Sequence, residues 1–261
     1  MTSTSGGARA APVAYEVAEG VAWVTVQRPE AKNALNAAVR QGLWDATHRF
    51  NADHAAQVLV LTGAGDVFCA GADLKEMAAT GLTVPPPDWL PQFGRNVEVE
   101  KPTIAAVNGA AYAGGFLLAQ MCDLCLAADH ARFAVTEAKV GRGAPWAAPL
   151  PWLVPPRAAL QILMTAEPIG AARAYEIGLV NEVVPAADLR RRTQEVARTI
   201  ATNAPLTVRA AKRMVYAAGD AVRGAVFDRA EAIWEPVYLS EDAQEGPRAF
   251  SERRPPRWQG R

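Results

Sequence analysis

Cysteine and histidine are scarce in this chain, with three of each among 261 residues. Cys69, Cys122 and Cys125 are too few for the disulfide framework of a small secreted domain. Cys122 and Cys125 do spell C-x-x-C, but no second pair accompanies them, and His48, His54 and His130 lack metal-ligand spacing. Small core cysteines are therefore a better reading than a structural zinc or a redox pair. A surplus of charge is also missing. Lys and Arg total 27, as do Asp and Glu, so no global field draws the chain to nucleic acid or to a membrane. Half of the residues are hydrophobic, yet no apolar stretch is long enough to span a bilayer. The opening MTSTSGGARAA has no apolar segment of the signal-peptide kind and reads as a flexible leader over 1–11, which makes the cytoplasm the expected location. Gly63-Ala64-Gly65 is a lone G-x-G without the third glycine, too weak a sign of a dinucleotide.

What is present is an alternation of strand and helix patterns. Val21 to Gln27 reads as a strand, and Ala34 to Phe50 carries Leu35, Val39, Leu43 and Ala46 as a helical stripe. A strand over 58–61, a helix from Leu74, a strand over 103–107, a helix over 115–122 and a strand over 124–127 continue the pattern, which argues for α/β architecture with parallel strands. From Ala171 the character turns helical, over 171–177, 186–202, 206–218 and 221–239. Thr80 to Phe93 stands apart: with four prolines and Trp89 it suits neither helix nor central strand.

The junctions between strand and helix carry the chemistry. The apolar run Val58-Leu59-Val60-Leu61 is closed by a turn at Thr62-Gly63-Ala64-Gly65, and Phe68-Cys69-Ala70-Gly71-Ala72-Asp73 follows just before a helix. Small residues there leave backbone N–H groups uncovered, natural donors to a developing negative charge. The arrangement recurs where the strand Thr103–Val107 and the turn Asn108-Gly109 precede Ala113-Gly114-Gly115. Two such junctions converging on one oxygen atom would make an oxyanion hole.

The segments FCAGADLKEM, IAAVNGAAYAGGFLLAQMCDL, FAVTEAKVG and GLVNEVV resemble the crotonase superfamily, the enoyl-CoA hydratase/isomerase family, in order and spacing. The likeness runs from Val13 into the tail SEDAQEGPRAFSERRPPRWQGR. It implies a crotonase-like spiral of repeated β-β-α units over 12–200, and a helical C-terminal region over 201–261 that packs into a homotrimer or homohexamer. It also implies acyl-CoA thioester substrates, with coenzyme A arriving as part of the substrate and no separate cofactor or metal. By matching positions, the enolate oxygen is held by the amides of Ala72 and Gly114. Coenzyme A contacts come from Arg28, Ala31, Ala70, Ala72, Asp73 and Leu74, with Arg253 and Arg254 as candidates for the ribose phosphate. The Pro-rich segment 80–93 is either a rigid surface loop or a lid on the acyl pocket.

Glu137 matches the second of the family's two catalytic glutamates, and an apolar pocket would raise its pKa towards neutrality, as a proton carrier requires. The first glutamate is missing. Leu117 stands in its place, two positions after Gly115, and leucine can neither orient nor activate a water. The expectation is therefore single-base enolate chemistry with Glu137 as sole acid and base, double-bond isomerisation slightly favoured. An enoyl-CoA hydratase or hydratase-lyase using one glutamate stays open, as does a catalytically reduced acyl-CoA-binding paralogue. Leu117, Trp89 and Trp146 are expected in the acyl pocket, Trp152 is a further candidate, and Arg142 either meets a polar acyl group or faces solvent.

Overall fold

Short runs of β-branched and small apolar residues become strands, and each is answered by a helix whose apolar stripe covers it. The computed structural model describes residues 11–259 and 261; the leader expected over 1–11 falls, up to residue 10, outside the described residues. In chain order the first half holds β1 (Val13–Ala18), β2 (Val21–Val26), α1 (Ala37–Ala52), β3 (Val58–Gly63), β4 (Val67–Cys69), α2 (Leu74–Thr80), β5 (Thr103–Val107), β6 (Ala110–Tyr112), α3 (Gly114–Gln120), β7 (Leu124–Ala128) and β8 (Arg132–Ala134). The second half holds α4 (Leu150–Leu153), α5 (Pro156–Thr165), β9 (Ile169–Gly170), α6 (Ala171–Glu176), β10 (Glu182–Val184), α7 (Leu189–Ala201), α8 (Pro205–Leu239) and α9 (Glu241–Ser251).

Six strands form one sheet in the order β1-β2-β3-β5-β7-β10, parallel except for the first pair. Every residue of β3 and β5 is buried, as expected of parallel strands covered on both faces. A second sheet runs β4-β6-β8-β9, parallel except for the last pair. The chain alternates between the two sheets and then turns into a helix: β3-β4-α2, then β5-β6-α3, then β7-β8 with a 3-10 turn, Glu137–Val140, in the helix's place. This is the β-β-α spiral that the resemblance implies. Its consequence for the site is that β4, β6 and β8 end side by side, with Cys69 beside Ala111 and Ala111 beside Phe133.

Several elements differ from the sequence reading. Thr62 and Gly63 belong to β3, where they continue the pairing with β2 opposite Thr25 and Val26, so the turn begins later. Helix α1 starts at Ala37, since Asn36 caps it by accepting from the Val39 amide at 3.0 Å. The helices expected over 206–218 and 221–239 are one helix of 35 residues, α8. Gly219 does not break it, because a helical glycine costs only about 1 kcal/mol relative to alanine. The strands β1, β4, β6, β8, β9 and β10 and the helices α4, α5 and α9 go beyond the reading from sequence.

Two polar centres lock these parts together. Asn33 is fully buried with a left-handed φ of 55°, and its amide donates to the carbonyls of Ala64 (2.9 Å) and Val67 (2.7 Å) while accepting from the Arg28 amide (2.9 Å). It thereby ties the loop before α1 to both sheets. Asp123 accepts from the Thr103 amide (2.8 Å) and from the Tyr216 hydroxyl (2.8 Å), and pairs with Lys212 (2.9 Å), which anchors α8 to the edge of β5. Among the described residues no helix is long and apolar enough to cross a membrane.

Candidate active site

The first junction is held open by a single parallel bridge. The Leu35 amide donates to the Gly71 carbonyl (2.8 Å) and the Asp73 amide to the Leu35 carbonyl (3.4 Å). In parallel pairing a residue bonds to the neighbours of its partner, so the amide of Ala72, between them, faces the other way. Asp73 then caps α2, accepting from the amides of Lys75 (3.1 Å) and Glu76 (3.3 Å). The second junction leaves β6 at Tyr112. Ala113 takes a φ of 50° and a ψ of −118°, a left-handed backbone that costs a residue with a Cβ about 1–3 kcal/mol. Its amide is anchored on the Ala134 carbonyl (2.9 Å), and the turn it makes aims the Gly114 amide away from the sheet at the start of α3, where no helical carbonyl can reach it.

The two junctions touch. Gly71 has a φ of 95°, and a Cβ added there would stand 2.7 Å from the Ala113 Cβ and 3.3 Å from the Gly114 nitrogen. A Cβ on Gly114 would be 3.9 Å from the Ala72 nitrogen. Among the described residues neither the Ala72 nor the Gly114 amide donates to a protein oxygen. Both residues line a cavity of about 510 Å³, together with Ala70, Leu74, Leu117, Trp89, Trp146 and Glu137.

Glu137 opens the 3-10 turn after β8 and is only 8% exposed. Burial pushes its carboxyl up to about 8, against smaller opposing effects from nearby backbone amides, the Trp146 indole and the charge of Arg142. Its Oε2 is buried and has no partner among the described residues. Trp146 is itself held: the Gln120 amide of α3 donates to its carbonyl (3.1 Å), and its ring lies 6.1 Å from that of Phe116. Leu117, 5% exposed, presents hydrocarbon to the same space.

The other expected residues divide. Arg28 lies at the outer side of the first junction, bonded to Asp73 (2.6 Å) and to the Ala34 carbonyl (3.2 Å), and Ala31 sits in the 3-10 turn Pro29–Ala31 next to it. Trp152 is not in the cavity; it is 53% exposed on α4. Arg254 is tied to Glu245 (2.5 Å) and Glu252 (2.5 Å), so its planar fork is occupied within α9 and the tail, and Arg253 is exposed. The cysteines are free and buried, and burial pushes the thiols of Cys69 and Cys125 up to about 12, which makes them core residues and not nucleophiles. The Pro-rich segment contributes Leu82, Val84, Pro85, Pro86, Pro87 and Trp89 to the cavity wall, so it roofs the pocket. Sequence reasoning missed Arg95, Glu231, Glu235 and Tyr238, which also line it. The last three lie four and three apart on α8, the spacing of one helix face. That period was the available signal, but nothing local links it to a site more than ninety residues away in sequence.

An α/β fold with two uncovered amides over an apolar cavity and one buried carboxyl defines a class of enzyme that holds a carbonyl compound beside a proton carrier. Residues 16–261 match the model of the family described as enoyl-CoA hydratase/isomerase. Among curated proteins, the chain is 38% identical to the (E)-benzylidenesuccinyl-CoA hydratase of Thauera aromatica, covering 95% of this chain and 99% of that one. It is 36% identical to the carnitinyl-CoA dehydratase of Proteus mirabilis, covering 91% and 94%. Among solved structures, a carnitinyl-CoA dehydratase from Mycobacterium avium 104 superposes with a TM-score of 0.85 at 40% identity over 97% of this chain and all of that one. An enoyl-CoA hydratase from Mycobacterium tuberculosis superposes at 0.80 and 34% over 88% of this chain. The chain belongs to the enoyl-CoA hydratase/isomerase family, within the crotonase superfamily, and is an enzyme of that type.

The raised pKa of Glu137 has a consequence for stability. Between the ordinary carboxylate value of 4.5 and about 8, the folded protein keeps a proton that the unfolded chain releases. Stability from this group is complete below that window and is lost as pH rises through it. Glu137→Gln has no such loss, so its melting temperature relative to wild type should climb from pH 5 to pH 8.5. Melting curves that stay parallel across that range would show that Glu137 is ionised in the fold throughout.

Proposed function

We propose that the cavity takes an acyl-CoA thioester whose carbonyl oxygen sits between the amides of Ala72 and Gly114, while Glu137 moves a proton at the acyl carbons. The reaction this favours is migration of a double bond between the 3- and 2-positions of an enoyl-CoA. The observation that carries the reading is the pairing of one buried carboxyl with Leu117 where a second would stand. Isomerisation needs a base that takes a proton from one carbon and returns it two carbons away, and the enolate between those steps needs only fixed donors at its oxygen. Preorganised backbone donors of this kind are worth about 2.7–4 kcal/mol of barrier each. Ionised Glu137 takes the proton and neutral Glu137 gives it back, so a pKa of about 8 serves both halves near neutral pH. The dry wall formed by Leu117 and Trp146 supports proton transfer over water addition.

Hydration or dehydration through one glutamate is the second reading, favoured by relatives named as hydratases and dehydratases. Glu231 and Glu235 also line the cavity, carboxylates from α8 that local sequence around Leu117 does not supply. The coenzyme A moiety is assigned to the outer side of the first junction, around Arg28, Ala31, Ala70, Asp73 and Leu74. The location is assigned to the cytoplasm.

We also infer a homotrimer or homohexamer, built through the C-terminal helices. Leu206, Met214, Val215, Ile233 and Leu239 of α8 are exposed, and closed symmetry would cover such side chains. Light scattering at micromolar concentration should give a trimeric or hexameric mass, and a monomer would contradict the assignment.

A panel of CoA thioesters assayed for double-bond migration, hydration and cleavage tests the reaction. Wild type should turn over 3-enoyl-CoA to 2-enoyl-CoA, and Glu137→Gln should lose about 10²–10⁴-fold in kcat, the usual worth of a general acid–base, with binding of a saturated acyl-CoA nearly unchanged. Leu117→Glu, once shown to fold, should raise hydration of a short 2-enoyl-CoA by at least about tenfold. Efficient hydration by wild type with no gain in Leu117→Glu would favour the second reading and overturn the first.

A further inference from the structure

Arg142 follows directly on the turn that carries Glu137, and its side chain enters the cavity wall although the residue is only 5% exposed. Its Nη2 donates to the Thr83 carbonyl in the Pro-rich roof, and its guanidinium lies 4.9 Å from the centre of the Tyr238 ring. Among the described residues it has no carboxylate partner, whereas Arg28 is paired with Asp73 (2.6 Å), Arg40 with Glu76 (2.6 Å), and Arg95, in the same cavity, with Glu231. Its remaining nitrogens make no hydrogen bond among the described residues, and the residue lines the cavity. Burial works against its charge and pulls its pKa below the usual guanidinium range.

A buried cation without an ion-paired carboxylate is costly, and Glu137, although its charge acts on Arg142, makes no salt bridge with it among the described residues. Of the other acids lining the cavity, Glu231 is engaged by Arg95 and Glu235 is exposed. An alkyl acyl chain entering this space would strip water from Arg142 and return nothing. A carboxylate would meet the N–H donors of a planar guanidinium that Thr83 leaves unused, on a side chain suited to carboxylate recognition. The aromatic walls, Trp146 and Tyr238, would flank the carbon skeleton that joins this carboxylate to the thioester.

We propose that Arg142 is an anion subsite in the acyl cavity, and that the thioester this enzyme selects carries a second carboxylate on its acyl group. The assignment rests on the reading of the cavity as an acyl-CoA site, and the test separates the two. Calorimetric titration with saturated thioesters measures binding free of turnover, using succinyl-, glutaryl- and adipyl-CoA against their length-matched partners butyryl-, valeryl- and hexanoyl-CoA. At least one carboxylate-bearing thioester should bind about tenfold or more tightly than its alkyl partner. Arg142→Gln should bring that ratio close to one, and Arg142→Lys, which keeps the charge but not the fork, should retain part of it. A structural role at Thr83 alone would weaken both members of a pair equally and leave the ratio where it was. If Arg142→Gln does not fold, the wild-type and Arg142→Lys ratios still decide. Alkyl and carboxylate thioesters that bind wild type equally well, or a ratio untouched in folded Arg142→Gln, would overturn the subsite alone. Failure of every thioester to bind would overturn the acyl-CoA reading and the subsite with it.

Discussion

Everything at the site depends on two chain segments lying closer together than side chains would allow. Gly71 abuts Ala113 and the Gly114 nitrogen, and a Cβ at Gly115 would sit 2.1 Å from the Cys69 carbonyl. The spiral produces this approach because β4 and β6 are neighbours in the small sheet and each ends where a helix begins. The Asp73 amide is taken by the Leu35 carbonyl and the Ala113 amide by the Ala134 carbonyl, and the helix starts leave Ala72 and Gly114 without acceptors. The two donors are thus fixed by the fold before any ligand arrives, the condition under which a backbone donor lowers a barrier without reorganisation. Ala113 carries a strained backbone to aim one of them, and its anchoring on Ala134 ties that strain to β8, the strand that leads to Glu137.

The cavity separates two environments. Around Glu137 the wall includes the hydrocarbon of Leu117 and the indole of Trp146, and burial pushes the carboxyl up to about 8. The same cavity is also lined by the charged residues Arg95, Glu231 and Glu235, and Arg142, whose charge acts on Glu137, belongs to both environments. The first environment suits proton transfer at carbon, where water would compete. The second suits recognition of a polar acyl group. Gln120, through its bond to the Trp146 carbonyl, couples α3 to an indole that lines the same cavity as Glu137.

Much of this was legible in the sequence, and the parts that were not share a cause. The apolar runs 58–61 and 103–107 announced buried strands, and the small residues at 70–72 and 113–115 announced bare junctions, because those signals are local. The short strands β4, β6 and β8 were not visible: three residues cannot show a period, and their pairing is decided by the spiral. Helix α8 was cut in two at Gly219, since a glycine's local propensity says little where packing and cross-links such as Tyr216 to Asp123 hold the helix. Trp152 and Trp146 look alike in sequence, and only the turn at Pro145–Ala147 sends one inward and the other out. Glu231, Glu235 and Tyr238 reach the cavity by tertiary placement of α8, which no local pattern encodes.

The central claim is that two fixed amides stabilise a thioester enolate formed by Glu137. The most direct measurement is hydrogen exchange at the α-carbon of a saturated acyl-CoA incubated with the enzyme in deuterium oxide, followed by NMR. A saturated chain can neither isomerise nor hydrate, so only enolate formation is read. Wild type should incorporate deuterium, faster at pH 8.5 than at pH 6.5 as the Glu137 carboxyl ionises near 8, and Glu137→Gln should not. Absence of exchange in a wild-type protein that binds the thioester, or equal exchange in Glu137→Gln, would contradict the account.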